Sequence, residues 1–219
     1  MGDTRPVLLL FAMSDNGEFI HRFIPGTSGR TLILLHGTGG TENDLLELGH
    51  RLDPEAALLS PRGKILENGR PRFFRRLAEG VFDEKDLVFR THELADFIQE
   101  AAERYGFSQG QPIAVGYSNG AKIAGSILLL RPQTLHGAVL LRPMVPLVPP
   151  DLPELNGAPI LVAAGNHDPI VPVENARELV ALLRRSGADV TAFFENAGHG
   201  LTETTVTAAK RWLEDWGRI

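Results

Sequence analysis

Short, largely apolar runs separated by helical patterns constrain this chain more than any other feature. They read "TLILLHG" (Thr31–Gly37), "ALLSPRG" (Ala57–Gly63), "PIAVGYS" (Pro112–Ser118), "GAVLLRP" (Gly137–Pro143), "PILVAAG" (Pro159–Gly165) and "DVTAFFENAG" (Asp189–Gly198). A strand wetted on one face alternates apolar and polar residues, whereas a run apolar on both faces belongs to a parallel sheet covered on both sides. The helical patterns between them span Asn43–Leu52, with Thr41 as its expected cap, then Asp86–Tyr105, Gly120–Leu130, Val173–Arg185 and Thr202–Trp216. The second is closed by Gly106, the third is apolar almost all round, and the fourth ends in basic residues before Gly187. Strands alternating with helices predict βαβ units with right-handed crossovers. The expected architecture is therefore α/β: a mostly parallel central sheet flanked by helices on both faces.

Ligands of such sheets gather beyond the carboxyl ends of the strands. Residues that directly follow an apolar run are thus the ones to search for chemistry. Ser118 is the first, in Gly-Tyr-Ser-Asn-Gly, between a strand pattern and a buried helix pattern. A G-x-S-x-G segment placed there forms a sharp turn that holds the serine in a strained backbone shape and aims its hydroxyl above the sheet. The same five residues in another context are only a Gly/Ser turn.

A serine hydroxyl needs a base before it attacks anything. Of the seven histidines, His21 falls in a strand pattern, His50 and His92 in helices and His136 before a strand, all fitting surface or packing roles. His36 ends a strand before a glycine loop and reads as structural. His199, in "NAGHGLTE", lies between two glycines after the last strand and follows Ser118 in chain order, as a hydrolase requires. Asp168, in "AAGNHDPIVP", follows the penultimate strand in a loop stiffened by Pro169 and Pro172, and is the choice to orient the imidazole. Glu195 competes for that role, and His167 beside Asp168 reads as a loop residue. A metal site on His167, Asp168 and His199 lacks the helical H-E-x-x-H spacing and leaves the serine unexplained. No metal and no cofactor are expected. Acyl transfer also needs donors for a negative oxygen. The backbone N–H of Asn119 is one, and Thr38, in "HGTGGTEND", is the expected other; no Gly-Lys-Ser/Thr follows that would make this glycine loop a phosphate site.

Composition narrows the partners. A net charge of -5 supplies no basic footprint for nucleic acid, and no apolar run is long enough for stable membrane insertion. The absence of cysteine removes disulfides, thiolate metal sites and a thiol nucleophile, and a cytoplasmic location is expected. "RPVLLLFAM" (Arg5–Met13) has one basic residue before a short apolar core and no small-residue cleavage site. Residues 1–18 are read as an N-terminal extension or edge strand, and 19–219 as a single domain.

Taken together and in this order, "HGTGG", "GYSNG", "GNHDPIVP" and "GHGLT" closely resemble the α/β-hydrolase superfamily. Within it they resemble the phospholipase/carboxylesterase family, which includes the acyl-protein thioesterases, in its bacterial carboxylesterase branch. The resemblance implies an α/β-hydrolase fold with Ser118 as nucleophile, His199 as base, Asp168 as its partner, and Thr38 and Asn119 as oxyanion donors. A homodimer is implied by family analogy alone. The short link from Arg142 to Pro159 leaves no room for a lid domain. The expected activity is that of a serine carboxylesterase on small, short-acyl esters. A thioesterase or lysophospholipase using the same triad, and a non-catalytic small-ligand sensor, are the alternatives. "NGRPRFFRRLAEG" (Asn68–Gly80) reads as a loop that follows a strand end and walls the site; in it Phe73 and Phe74 are candidates to line a substrate pocket, and Arg72, Arg75 and Arg76 to favour acidic groups. Met144 and Val145 are further pocket candidates. For all of these, plain packing or a solvated basic face is an equal reading.

Overall fold

The apolar runs all become strands of one sheet. The computed structural model describes residues 18–78, 81–107 and 112–216, so the N-terminal extension lies, apart from Glu18, outside the described residues. In chain order the elements are β1 (His21–Ile24), β2 (Thr31–Leu35), α1 (Leu46–Leu52), β3 (Ala57–Pro61), β4 (Ile65–Glu67), β5 (Arg70–Arg72), β6 (Arg76–Ala78) and β7 (Val81–Phe82). There follow α2 (Glu84–Tyr105), β8 (Pro112–Tyr117), α3 (Asn119–Leu130), β9 (Gly137–Leu141), β10 (Pro159–Gly165), α4 (Val173–Arg185), β11 (Asp189–Glu195) and α5 (Glu203–Trp216). The main sheet has seven strands in the order β1-β3-β2-β8-β9-β10-β11. Only β1 runs antiparallel to its neighbour; the other pairs are parallel.

Successive residues of a strand point to opposite faces, and both faces here are covered. Ile33 and Leu35 of β2 join the core under α2, α3 and α4, while Leu32 and Leu34 join the core under α1 and α5. All four are fully buried, and each contributes about 1.5–3 kcal/mol through removal from water. Helix α3 is apolar almost all round because it lies between the sheet and α2, to which a hydrogen bond of 2.8 Å between the Ser126 and Thr91 hydroxyls also ties it. Helix α2 is capped by the Asp83 carboxylate, which accepts from Asp86 N–H at 3.1 Å, and stops where Gly106 takes φ 70°.

Two expectations need correction. Helix α1 begins at Leu46, and Thr41 does not cap it: the Thr41 N–H and hydroxyl both donate to Asp44 (2.8 and 2.6 Å), closing a turn ahead of the helix. The segment 68–80, expected as a loop, instead contributes strands to two antiparallel ladders, β4 with β5 and β6 with β7. Strands of two or three residues are too short for a period-2 pattern to register. Residues 142–158 carry no helix or strand, so no lid domain rises between β9 and β10. No helix among the described residues is long and apolar enough to cross a membrane.

From β2 the chain crosses to β3 on one side, and the strand on its other side is β8. The loops leaving β2 and β8 therefore diverge at a switch point, which opens a crevice at the carboxyl edge of the sheet.

Candidate active site

Ser118 stands in that crevice, between the last residue of β8 and the first of α3, with φ 53° and ψ −109°. A non-glycine residue held there costs about 1–3 kcal/mol, and the turn is fastened at both ends. Ser118 N–H donates to the Leu141 carbonyl at 2.9 Å, and Lys122 N–H donates to the Ser118 carbonyl at 3.0 Å. The flanking glycines are dictated by contact. A Cβ at position 120 would stand 1.8 Å from the Leu35 carbonyl oxygen, and one at position 116 would stand 2.5 Å from that of Gly120.

The loops after β10 and β11 bring two more side chains to the serine. His199 Nε2 lies 2.9 Å from Ser118 Oγ, and His199 Nδ1 lies 2.7 Å from Asp168 Oδ2. The other Asp168 oxygen accepts the N–H groups of Ile170 (2.8 Å) and Val171 (3.0 Å), which fixes the carboxylate in place. With Nδ1–H given to Asp168, Nε2 is the nitrogen left to accept the serine proton. Glu195 is elsewhere: it binds Arg142, Thr202 and Thr205. Burial pushes its acidity the other way, yet these hydrogen bonds from Thr205, Arg142 and Thr202 hold its carboxyl below the usual carboxylate range. His167 is exposed. His36 is buried, its ring donating to the Gly37 carbonyl (2.7 Å) and accepting Gly63 N–H (3.0 Å), and burial lowers its pKa.

Arg142 was not visible as a site residue in the sequence, and it anchors the histidine loop. It has φ 53°, and its side chain is 0% exposed. The guanidinium donates to the carbonyls of Gly198 (3.0 Å) and Gly200 (2.9 Å), on either side of His199, and to Glu195 at 2.6 Å. Tyr117, beside the serine, donates its hydroxyl to the His199 carbonyl at 3.2 Å. The only sequence signal was an arginine directly after an apolar run.

Ser118, Thr38 and Asn119 border one cavity of about 290 Å³. Asn119 opens α3, where a backbone N–H has no partner within the helix. Its side-chain oxygen accepts Phe73 N–H at 2.8 Å, and Gly39 N–H donates to the Pro71 carbonyl at 2.8 Å, so both loops are tied to the β5 segment. Phe74, Phe82 and Met144 supply the apolar wall. Phe73 and Val145 do not border the cavity: Phe73 packs on the His36 ring at 4.7 Å, and Val145 lies against the core with its N–H on Asn175. Arg72 and Arg76 do border it and share Glu67, at 2.9 and 2.6 Å, whereas Arg75 pairs with Asp83 and Asp86 away from it.

Lys122, overlooked in the sequence because it interrupts an apolar helix, also borders the cavity. It is 3% exposed, with Nζ 3.0 Å from the centre of the Phe82 ring and 3.9 Å from Met144 Sδ. Burial, helped by the charge of Arg72, lowers its pKa to about 7.

A parallel sheet, a strained strand–serine–helix turn at its switch point and a histidine loop after the last strand define an α/β hydrolase. The chain belongs to the phospholipase/carboxylesterase family, which its residues 26–217 match. It is 52% identical over 195 residues to MhqD of Bacillus subtilis (strain 168), covering 89% of this chain and 98% of that one. The crystal structure of the Bacillus cereus carboxylesterase superposes with a TM-score of 0.89 at 50% identity, over 91% of this chain and 95% of its own. A carboxylesterase from Mesorhizobium loti superposes at 0.85 with 33% identity, over 92% and 97%. The protein is accordingly a carboxylic ester hydrolase.

Proposed function

We propose that this chain is a serine carboxylesterase acting on small, short-acyl esters through Ser118, His199 and Asp168, within one hydrolase domain over residues 19–219. The observation that carries this reading is the unbroken hydrogen-bond line from Asp168 through His199 to Ser118, at 2.7 and 2.9 Å. His199 Nε2 takes the serine proton as Oγ attacks the ester carbonyl, and Asp168 stabilises the imidazolium that forms. The N–H groups of Thr38 and Asn119 receive the oxyanion. His199 then protonates the leaving alcohol, and a water molecule activated by the same imidazole releases the acid from Ser118. A cavity of about 290 Å³ is at the small end of ligand sites, which span roughly 300–1,000 Å³. That size and the missing lid favour short acyl chains.

The test is a series of p-nitrophenyl esters of increasing chain length, run on wild type and Ser118→Ala. kcat/KM should peak among the shortest acyl groups, and the variant should lose at least about a thousandfold. Retained turnover in Ser118→Ala would overturn the mechanism, and kcat/KM rising steadily with chain length would overturn the substrate class. Faster turnover of the thioester of the same acyl group would make the protein a thioesterase.

A further inference from the structure

We propose that the cavity beside Ser118 receives esters carrying a second, anionic group, a carboxylate, and that Lys122 is the residue that binds it. This specifies the substrate class of the site described above and rests on that reading for its chemistry. Lys122 follows Ser118 by one helical turn, about 6 Å along the axis, and both border the same cavity. Within that one cavity of about 290 Å³, a half-ester of a four- or five-carbon diacid can set its ester carbonyl at Ser118 and its carboxylate at Lys122.

The charge balance supports an anion. Four basic side chains, Arg72, Arg76, Lys122 and Arg142, border the cavity, and no carboxylate among the described residues does. Glu67 serves Arg72 and Arg76 together, and Glu195 serves Arg142. Lys122 is left with a thioether and an aromatic face, and no oxygen accepts from it among the described residues. An ammonium carries three donors; one meets the weakly accepting Met144 sulfur, and leaving the others without an oxygen in a buried site is costly. A methionine would fill the same volume at no such cost, so packing does not account for the lysine. A carboxylate at Lys122 supplies oxygens to accept from the amine and a negative charge to offset the basic lining of the cavity. Burial lowers the Lys122 pKa to about 7, and a carboxylate beside the amine favours its protonated form.

The experiment compares monoethyl succinate with ethyl pentanoate, an uncharged ester of matched length, by ethanol release at pH 7. Wild type should favour the half-ester in kcat/KM by roughly ten- to hundredfold, the worth of one hydrogen bond between charged groups, and Lys122→Met should erase most of that ratio. The ratio should also fall as the pH rises above neutrality. Arg72, Arg76 and Arg142 share the cavity with Lys122, and any pH effect on the ester chemistry itself acts on both esters and cancels in the ratio. Equal or better turnover of ethyl pentanoate by wild type, or a preference that survives Lys122→Met, would overturn the proposal. Calorimetric binding of succinate against succinamide reads the subsite without catalysis. Wild type should bind succinate at least tenfold more tightly and Lys122→Met should not; equal binding overturns the proposal. If succinate binds selectively while neither ester is cleaved, the hydrolytic reading fails and the anion site stands.

Discussion

Replacing Lys122 by methionine should make the protein more stable at neutral pH, by an amount that shrinks as the pH rises. The native amine has a pKa of about 7, against an ordinary value of 10.5 that the unfolded chain retains. A lysine whose folded value is depressed destabilises the native state wherever the unfolded chain holds its proton, because the fold must then either bury the charge or give the proton up. That penalty is complete below pH 7 and disappears as the pH approaches the unfolded value. Linkage puts it at about 4 kcal/mol at pH 7 and about 2 kcal/mol at pH 9, a slope of about 1.4 kcal/mol per pH unit. Methionine is close in volume, apolar and flexible enough to occupy the space against Phe82 and Met144. Urea unfolding of both proteins at pH 7 and pH 9 is the assay. The variant should gain a few kcal/mol at pH 7 and about half of that at pH 9. A variant less stable than wild type at pH 7, or a difference unchanged between the two pH values, would refute the reasoning.

Other outcomes follow from the same geometry. Asp168→Asn should lower kcat by about four orders of magnitude, because the imidazole loses the partner that fixes its tautomer, while circular dichroism stays that of wild type. Arg142→Met should cost about 3–5 kcal/mol by stranding a largely buried Glu195, and should lower kcat by freeing the carbonyls on either side of His199; chemical denaturation and steady-state kinetics read the two effects. Gly120→Ala should yield no folded protein on expression, since its Cβ would overlap the Leu35 carbonyl at 1.8 Å.

The sheet was legible because burial on both faces writes itself into consecutive residues, as in Thr31–Leu35, where every position is buried. Helix α3 was legible for the same reason. The ladders around Arg72 and Arg76 were not, because two or three residues carry no periodicity, and the sharing of Glu67 by the two arginines shows only in the fold. Thr41 misled because a capping hydroxyl serves a turn as readily as a helix. At the site, Ser118, Asp168 and His199 stood out through their loop positions and chain order, and the fold brings them within hydrogen-bond reach. Arg142 and Lys122 were hidden, since an arginine or lysine in a sequence reads as solvated by default. Only tertiary packing puts one under the histidine loop and the other beside the serine. Phe73 and Phe74 are adjacent in sequence but separate in role: one packs on His36 while the other borders the cavity.

The central claim is that one alcohol, on Ser118, is made reactive by His199 and Asp168. Stoichiometric labelling with a fluorophosphonate, followed by peptide mass spectrometry, tests it most directly. The expected result is one phosphonate per chain, on Ser118, with labelling slowed at least a thousandfold in His199→Ala. A label on any other residue, or continued ester hydrolysis by a fully labelled protein, would contradict it.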